Sequence, residues 1–270
     1  MNGFKEFKFS IIIPNYNGGK FLQWCIESIL VQKYNNYELI IVDWKSSDNS
    51  HKIIKKYTGE YKDIIWIQDK DVGISNAFNI WIKKSSGDFV LYLWSDDYLY
   101  NDILEKINMF LNQILFFNQV PADDVNIFCD SINYWSNMNR FEKREFSTIN
   151  FNKKNLLKFW TIVWLQNIFL NSKWLKKNLL DEDNKYSMDY EIYFRMLESK
   201  QLFFYLPEVS SINYQWDNIS NRYADASFYE TMKVAKKYAQ NFLEYIYIYK
   251  KIIIYKSIKI IKKWLWLLKK

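Results

Sequence analysis

The chain is poor in the residues that build many common catalytic and cofactor sites. It has one histidine, His51, and two cysteines, Cys25 and Cys129, among 270 residues. These three cannot be arranged into a Cys/His zinc site with usual spacings. A Cys–His nucleophile pair needs a thiol in a loop-like setting, and neither cysteine has one. Both read as small buried residues of a reduced, cytosolic protein. Glycine and proline are scarce, at six and three. No Gly-x-Gly-x-x-Gly and no Gly-x-x-x-x-Gly-Lys occurs, which argues against a dinucleotide-binding or P-loop enzyme. No uncharged apolar run reaches the ~18 residues of a membrane span. Residues 1–9 lack the apolar core of a signal peptide. A cytoplasmic location is expected.

What is present suits a globular fold. The composition is 49% hydrophobic and 20% aromatic, enough to bury a sizeable core. The net charge is +7, and its location matters more than its size. The stretch from Lys250 to Lys270 holds eight lysines and no acid, so the other residues sum to −1. A near-neutral body excludes a basic groove across the fold, and no nucleic-acid partner is expected. The basic tail points to a local anionic partner.

In the first half, strand-like and helix-like segments alternate. Short apolar runs at 9–14, 39–43, 64–67 and 89–94 read as buried strands. Helical patterns cover 21–31, 50–57 and 74–83 between them. Such alternation predicts an α/β fold with a mostly parallel sheet flanked by helices. The second half is less regular. Strands are expected at 125–129 and 202–206, helices at 153–164, 172–180 and 186–200, and helix from 228 to the end. A division into two halves of one domain, 1–118 and 119–227, and a helical, basic extension, 228–270, follows.

Ligands of open α/β sheets bind beyond the carboxyl ends of the strands. Those ends carry Asn15-Tyr16-Asn17-Gly18-Gly19, then Asp43, then Asp69 and Asp71, then Ser95-Asp96-Asp97. Four strand ends deliver polar or acidic groups to one edge. Adjacent carboxylates such as Asp96 and Asp97 are costly unless solvated, capping a helix or holding a cation. A hard divalent ion takes oxygen ligands, often one or two carboxylates plus substrate phosphates. The competing reading is a capping loop before a helix at 101–110.

The segments Ser10-Ile-Ile-Ile-Pro-Asn-Tyr-Asn17, Ile26-Glu-Ser-Ile-Leu-Val-Gln32 and Glu38-Leu-Ile-Ile-Val-Asp43 with Ser47-Asp-Asn-Ser50 closely resemble the opening of glycosyltransferase family 2. Asp71-Val-Gly-Ile-Ser-Asn-Ala-Phe-Asn79 resembles that family's next signature, and Gly87 to Asp97 its DXD strand. The likeness runs unbroken from Phe9 to about Leu104, then thins to islands, among them Asp189-Tyr-Glu-Ile-Tyr-Phe-Arg195. It implies a GT-A fold, a nucleotide-diphosphate sugar donor, Mn²⁺ or Mg²⁺, and inversion at the anomeric carbon.

Carried over by position, Pro14, Tyr16 and Asn17 would line the nucleotide pocket, and Asp43 would accept a hydrogen bond from the base. Asp71 would contact the nucleotide, with Gly73 allowing a close backbone turn. Asp96 would touch the ribose or the metal, and Asp97 would ligate the metal. The sequence departs from the family at Trp44-Lys45, where relatives carry a Gly-rich or small-residue turn, and at Ser95, where many carry Asp.

An inverting transfer needs a base for the acceptor proton. Asp189 matches the family's catalytic acidic position, early in a helix. Its structural alternative is a carboxylate stabilised by the helix dipole. Glu191 is the rival base, with Arg195 within helical reach to pair with it. Ser220 and Arg222 match a loop over the diphosphate. His51 is expected on the exposed side of a helix and receives no role.

On a helical wheel, seven of the lysines from 251 onward fall in one arc and Ile, Trp and Leu residues fill the other. That pattern suits a helix lying in a membrane interface. Its alternative is a terminal helix docked on the body with its lysines solvated. The expected protein is a peripheral glycosyltransferase on the cytoplasmic face of the cell membrane, acting on a glycan or lipid-linked acceptor in surface polysaccharide or glycolipid assembly. Two rivals remain: a polyprenyl-phosphate glycosyltransferase, whose acceptor needs no base, and an inactive nucleotide-sugar-binding or membrane scaffold.

Overall fold

A computed structural model describes residues 4–68, 74–135, 138–146, 150–159, 162–215 and 223–267. Asp69, Asp71, Gly73, Ser220 and Arg222 lie outside the described residues.

The chain opens with strand β1 (Phe9–Asn15), helix α1 (Leu22–Leu30), β2 (Tyr37–Asp43), α2 (Ser50–Glu60), β3 (Ile64–Gln68), α3 (Ile74–Lys84) and β4 (Phe89–Tyr92). These four strands run parallel, with β1 pairing β2 on one side and β4 on the other. All seven residues of β1 are buried because both faces of the sheet are covered. Ile12, Ile40, Val42 and Val90 face one core. Ile11, Ile13, Leu39, Ile41 and Leu91 face the other. Adjacent residues thus feed opposite cores, and each fully buried Ile contributes about 1.5–3 kcal/mol. Pro14 sits in a central strand without cost. Its missing N–H faces the β4 side, where the ladder has already stopped at Ile12 and Tyr92.

Past β4 come β5 (Tyr98–Leu99), α4 (Ile103–Asn118), β6 (Val125–Trp135), β7 (Arg140–Arg144), α5 (Lys153–Phe159), β8 (Ile168–Asn171), α6 (Ser172–Lys177), α7 (Met188–Glu198) and β9 (Leu202–Gln215). The sheet order is β3-β2-β1-β4-β8-β6-β9-β5, with β7 paired to β6. β8 was not anticipated. It is four residues long and antiparallel to both neighbours, and it joins the parallel half to the β6–β9 pair. One sheet therefore takes strands from both sides of residue 118. The architecture is the α/β fold expected, a curled, mostly parallel sheet between helices.

Two further helices close the described chain: α8 (Ala224–Tyr238) and α9 (Phe242–Leu267). α9 packs on the body through Ile248, which is buried, and through Ile252 and Tyr255. The Tyr255 ring stacks on Phe228 of α8 at 3.8 Å. Among the described residues no helix is long and apolar enough to cross a membrane.

Candidate active site

The carboxyl ends of β1, β2 and β4 meet as the topology requires. The β1 end turns sharply: Asn17 has φ 51°, a left-handed conformation that asparagine tolerates. Its backbone N–H donates to Ser46 Oγ at 2.8 Å, and its Oδ1 accepts from the Ser47 N–H at 2.8 Å. Gly18 packs between two strand ends. A Cβ there would lie 2.4 Å from Asn15 Oδ1 and 2.5 Å from Ser95 Oγ. Tyr16 is exposed beside this turn, whereas Pro14 is buried within β1.

Asp43, at the end of β2, is fully buried. Its Oδ1 accepts from Asn15 Nδ2 at 2.7 Å and from Ser46 Oγ at 2.5 Å. Its Oδ2 accepts from the Ser46 N–H at 3.0 Å and lies 2.8 Å from His51 Nε2. A carboxylate offers about four lone-pair sites, and all four have partners. Asp43 in this state organises the turns around it and has no lone pair left for a nucleobase. The part of this network nearest solvent is His51, whose side chain is 39% exposed. His51 also lies 5.5 Å from the Trp66 ring. The sequence reading gave His51 no role because its partner is fixed by the β2–α2 turn, eight residues away, and not by helix periodicity.

Asp97 follows β4 and has a different environment. Its N–H donates to Trp94 O at 2.9 Å, which closes a tight turn. Its Oδ1 accepts from the Tyr214 N–H of β9 at 3.0 Å. Its Oδ2 is buried and has no hydrogen-bond partner among the described residues. Burial and the neighbouring charge of Asp96 hold the Asp97 carboxyl well above the usual carboxylate range, against the opposing pull of the Tyr214 N–H. The same two carboxylates, after burial itself, push up the Cys25 thiol. Neither caps a helix. α4 starts at Ile103 with Asp102 at its N-cap position, so the capping alternative fails on position.

The donor set fits a hard divalent ion. Among the described residues no group of three or more His, Cys, Asp or Glu gathers. Asp97 Oδ2 and the half-buried Asp96 offer carboxylate oxygens at a strand end. Mg²⁺ and Mn²⁺ are commonly held in this way, with substrate phosphates and water completing the shell.

Asp189 is half-buried in the first turn of α7, and its Oδ1 accepts from the Tyr190 N–H at 2.8 Å. α7 is fixed by burial on nearly every side: Met188, Tyr190, Ile192, Tyr193, Phe194 and Met196 are all in the core. The Phe194 ring stacks on Tyr238 of α8 at 4.6 Å. Glu191 is spent inside this packing and is not presented to an acceptor. It is 3% exposed, and it accepts from Arg195 Nε at 2.9 Å and Tyr238 Oη at 2.8 Å, with Lys237 Nζ at 3.3 Å. The pairing with Arg195 is the one the sequence reading expected.

A doubly covered parallel sheet with a polar carboxyl edge and two adjacent carboxylates after its fourth sequential strand is an open α/β architecture of the kind that binds ligands at that edge. The sequence model of glycosyl transferase family 2 matches residues 10–163, and the chain belongs to that family. An uncharacterised glycosyltransferase of Rickettsia typhi is 28% identical over 204 residues, 72% of this chain and 60% of that protein. The Staphylococcus aureus TarS fragment solved with UDP-GlcNAc superposes with a TM-score of 0.67 at 18% identity, covering 84% of this chain and 65% of the fragment. A Pyrobaculum calidifontis mannosyltransferase solved with GDP-Man and Mn²⁺ gives a TM-score of 0.62 at 12% identity, covering 90% of this chain and 68% of that one. The GT-A fold is common to them. This chain spans about six tenths of the Rickettsia relative.

Proposed function

We propose that the protein transfers a sugar from a nucleotide-diphosphate donor to an acceptor hydroxyl, with inversion, at the carboxyl edge of the sheet. The observation that carries this reading is the Asp97 Oδ2, buried and without a partner beside Asp96. A buried polar atom left unmatched costs free energy, and a bound cation removes that cost. Asp97 and Asp96 would hold Mn²⁺ or Mg²⁺, which would neutralise the charge developing on the leaving diphosphate. Solved relatives with UDP-GlcNAc or GDP-Man and Mn²⁺ support a donor and a metal of this kind.

The chain's own groups would do the rest. The Asn15–Asn17 turn and Tyr16 would border the nucleotide, with Asp71 and Gly73 proposed beside them from the sequence alone. The Asp43 network would fix the turn carrying Asn17 and the loop carrying Ser46, so the edge is preorganised rather than assembled on binding. Asp189, held by the packing of α7, would take the acceptor proton as the new bond forms. Ser220 and Arg222 keep their proposed place near the diphosphate from the sequence pattern. The acceptor would be a glycan or lipid-linked sugar in surface polysaccharide or glycolipid assembly, reached at an anionic membrane through α9.

The deciding measurement is a thermal-shift screen of UDP- and GDP-sugars with and without Mn²⁺. A donor at one hundred times its Kd adds about 2.7 kcal/mol to stability. A shift that requires both nucleotide and metal, and that disappears in Asp97→Ala, supports the reading. No shift with any nucleotide sugar overturns it.

A further inference from the structure

The terminal helix docks with its apolar arc outward, unlike the docked alternative considered in the sequence. Part of its basic arc turns inward. Lys259 and Tyr255 both engage Asp225 at the start of α8. Lys251 is partly buried, and Lys153 of α5 pairs with Glu244 at 3.5 Å. The opposite side faces outward and is apolar. Phe242, Ile246, Tyr249, Ile253 and Ile260 are all exposed, and their spacings of 4, 3, 4 and 7 keep them on one stripe. Ile253 is 64% exposed, high for an isoleucine on an ordered helix. Lys250 and Lys256 are exposed, and the helix period sets one on each flank of the stripe.

We propose that this outward stripe is a preformed membrane seat: α9 lies flat on an anionic lipid surface, with the Asp225 clamp holding its apolar face away from the body. This deepens the acceptor reading above and rests on it for its purpose. The observations favour lipid over a second copy of the chain. Pairing two copies stripe to stripe would set Lys250 and Lys256 of one against those of the other, in a segment with eight lysines and no acid. Anionic headgroups complement the same lysines while the acyl region takes the isoleucines. From Phe242 to Ile260 the stripe runs about 27 Å along the helix axis, at 1.5 Å per residue. That length suits an element lying in the interface plane, in keeping with the lack of any described helix able to span a bilayer.

Deletion of α9 is a poor test, because Ile248, Ile252 and Tyr255 pack on the body. Exposed positions are better. The full chain is sedimented with phosphatidylglycerol vesicles and with phosphatidylcholine vesicles. Binding to the first and not the second is expected. Ile253→Glu with Ile260→Glu should lower the partition by at least about tenfold while the Tm stays unchanged. Lys250→Gln and Lys256→Gln should each lower it roughly fivefold. The nucleotide-sugar thermal shift should persist in all of these variants, so loss of lipid binding and failure of the transferase reading are separately visible. Undiminished vesicle binding by the double Glu variant overturns the proposal. So does a native dimer, seen by sedimentation velocity, that the double Glu variant converts to monomer without any lipid binding by the native chain.

Discussion

Two aspartates sit at the carboxyl ends of neighbouring regions of one sheet, both buried, in opposite chemical states. Asp43 is surrounded by donors from Asn15, Ser46 and His51, and its four lone-pair sites are filled. Asp97 has one backbone donor on one oxygen and nothing on the other. A buried carboxylate is tolerable when the fold satisfies it or when a ligand will. On the proposed reading the first case is a structural aspartate and the second a binding aspartate, although sequence position treats the two as equivalent. Glu191 resembles Asp43 in being saturated, between α7 and α8, whereas Asp189 two residues earlier is half-buried at the helix start.

The largest expected effect tests the Asp97 side of the comparison. Asp97→Asn should leave the metal-free Tm unchanged or raised, because it removes a buried carboxylate that burial disfavours. It should reduce metal-dependent transfer by at least about 10²–10³-fold, the usual weight of a lost electrostatic contact in a transition state. The pH dependence follows from the raised Asp97 carboxyl. The metal-free fold binds that proton more tightly than the unfolded chain does. Its contribution is therefore full below the ordinary Asp value and is lost as pH rises through the raised one. A cation needs the ionised form, so metal affinity should fall as pH drops through the raised value. Titrating Mn²⁺ at several pH values by calorimetry checks both signs. A pH-independent affinity would remove Asp97 from the metal site.

Next in size is the pair on α7. Asp189→Asn should keep the donor-induced thermal shift and lose transfer to a hydroxyl acceptor by roughly 10²–10⁴-fold. Glu191→Gln should instead lower Tm, because Arg195 and Lys237 would lose their shared carboxylate, and it should leave transfer per folded molecule nearly intact. Measuring kcat and Tm on both variants separates a reacting group from a packing group. If Asp189→Asn stays fully active, the acceptor is an already ionised phosphate and no base is used.

Asp43 gives the third effect, read first in stability. Asp43→Ala leaves one N–H of Asn15 Nδ2 and the Ser46 donors unmatched in a buried setting, although Asn15 Nδ2 keeps its bond to Ser46 Oγ at 3.1 Å, at about 1–3 kcal/mol per unmatched group. A loss on the order of 3 kcal/mol in urea denaturation is expected. His51→Ala removes one of four partners and should cost about 1 kcal/mol. A much larger drop in donor affinity than in stability for His51→Ala would show that this exposed ring itself contacts the nucleotide.

Legibility in the sequence followed the same division. The strands at 9–15, 37–43 and 89–92 were visible because parallel strands covered on both faces read as apolar runs, and the edge strand at 64–68 was visible as a short apolar run although Ile65 is exposed. Their ends marked the edge that carries Asn15, Asp43 and Asp97. β8 was hidden because four residues, Ile168–Asn171, carry too little periodicity to distinguish strand from helix. β9 was expected to stop at Leu206 but runs to Gln215. Its second half, with Ser210, Ser211 and Asn213, has a loop-like composition, yet these side chains are buried in a hydrogen-bonded seam with Asn167. The environments of Asp43 and Glu191 were equally hidden, since their partners are set by packing between elements and not by spacing along the chain.

The smallest effect concerns a third charge taken into the fold, and it separates the two sides of α9. Burial pulls the Lys251 ammonium down to about 7. The unfolded chain holds that proton with a pKa of about 10.4. Between these values the unfolded state binds more protons, so stability should rise with pH from about 7 to about 10.4. Below about 7 both states are charged, and the full cost of desolvating the ammonium is carried. Lys251→Met should therefore raise the Tm at neutral pH and flatten this slope. The gain is on the order of 1 kcal/mol, reduced because part of the side chain stays in water. The same variant should bind phosphatidylglycerol vesicles as well as the native chain does, since Lys251 faces the body. Lys256→Gln, on the outward flank, should do the reverse, leaving Tm unchanged and weakening the lipid contact. If both substitutions weaken lipid binding equally, the helix does not hold this orientation on the membrane.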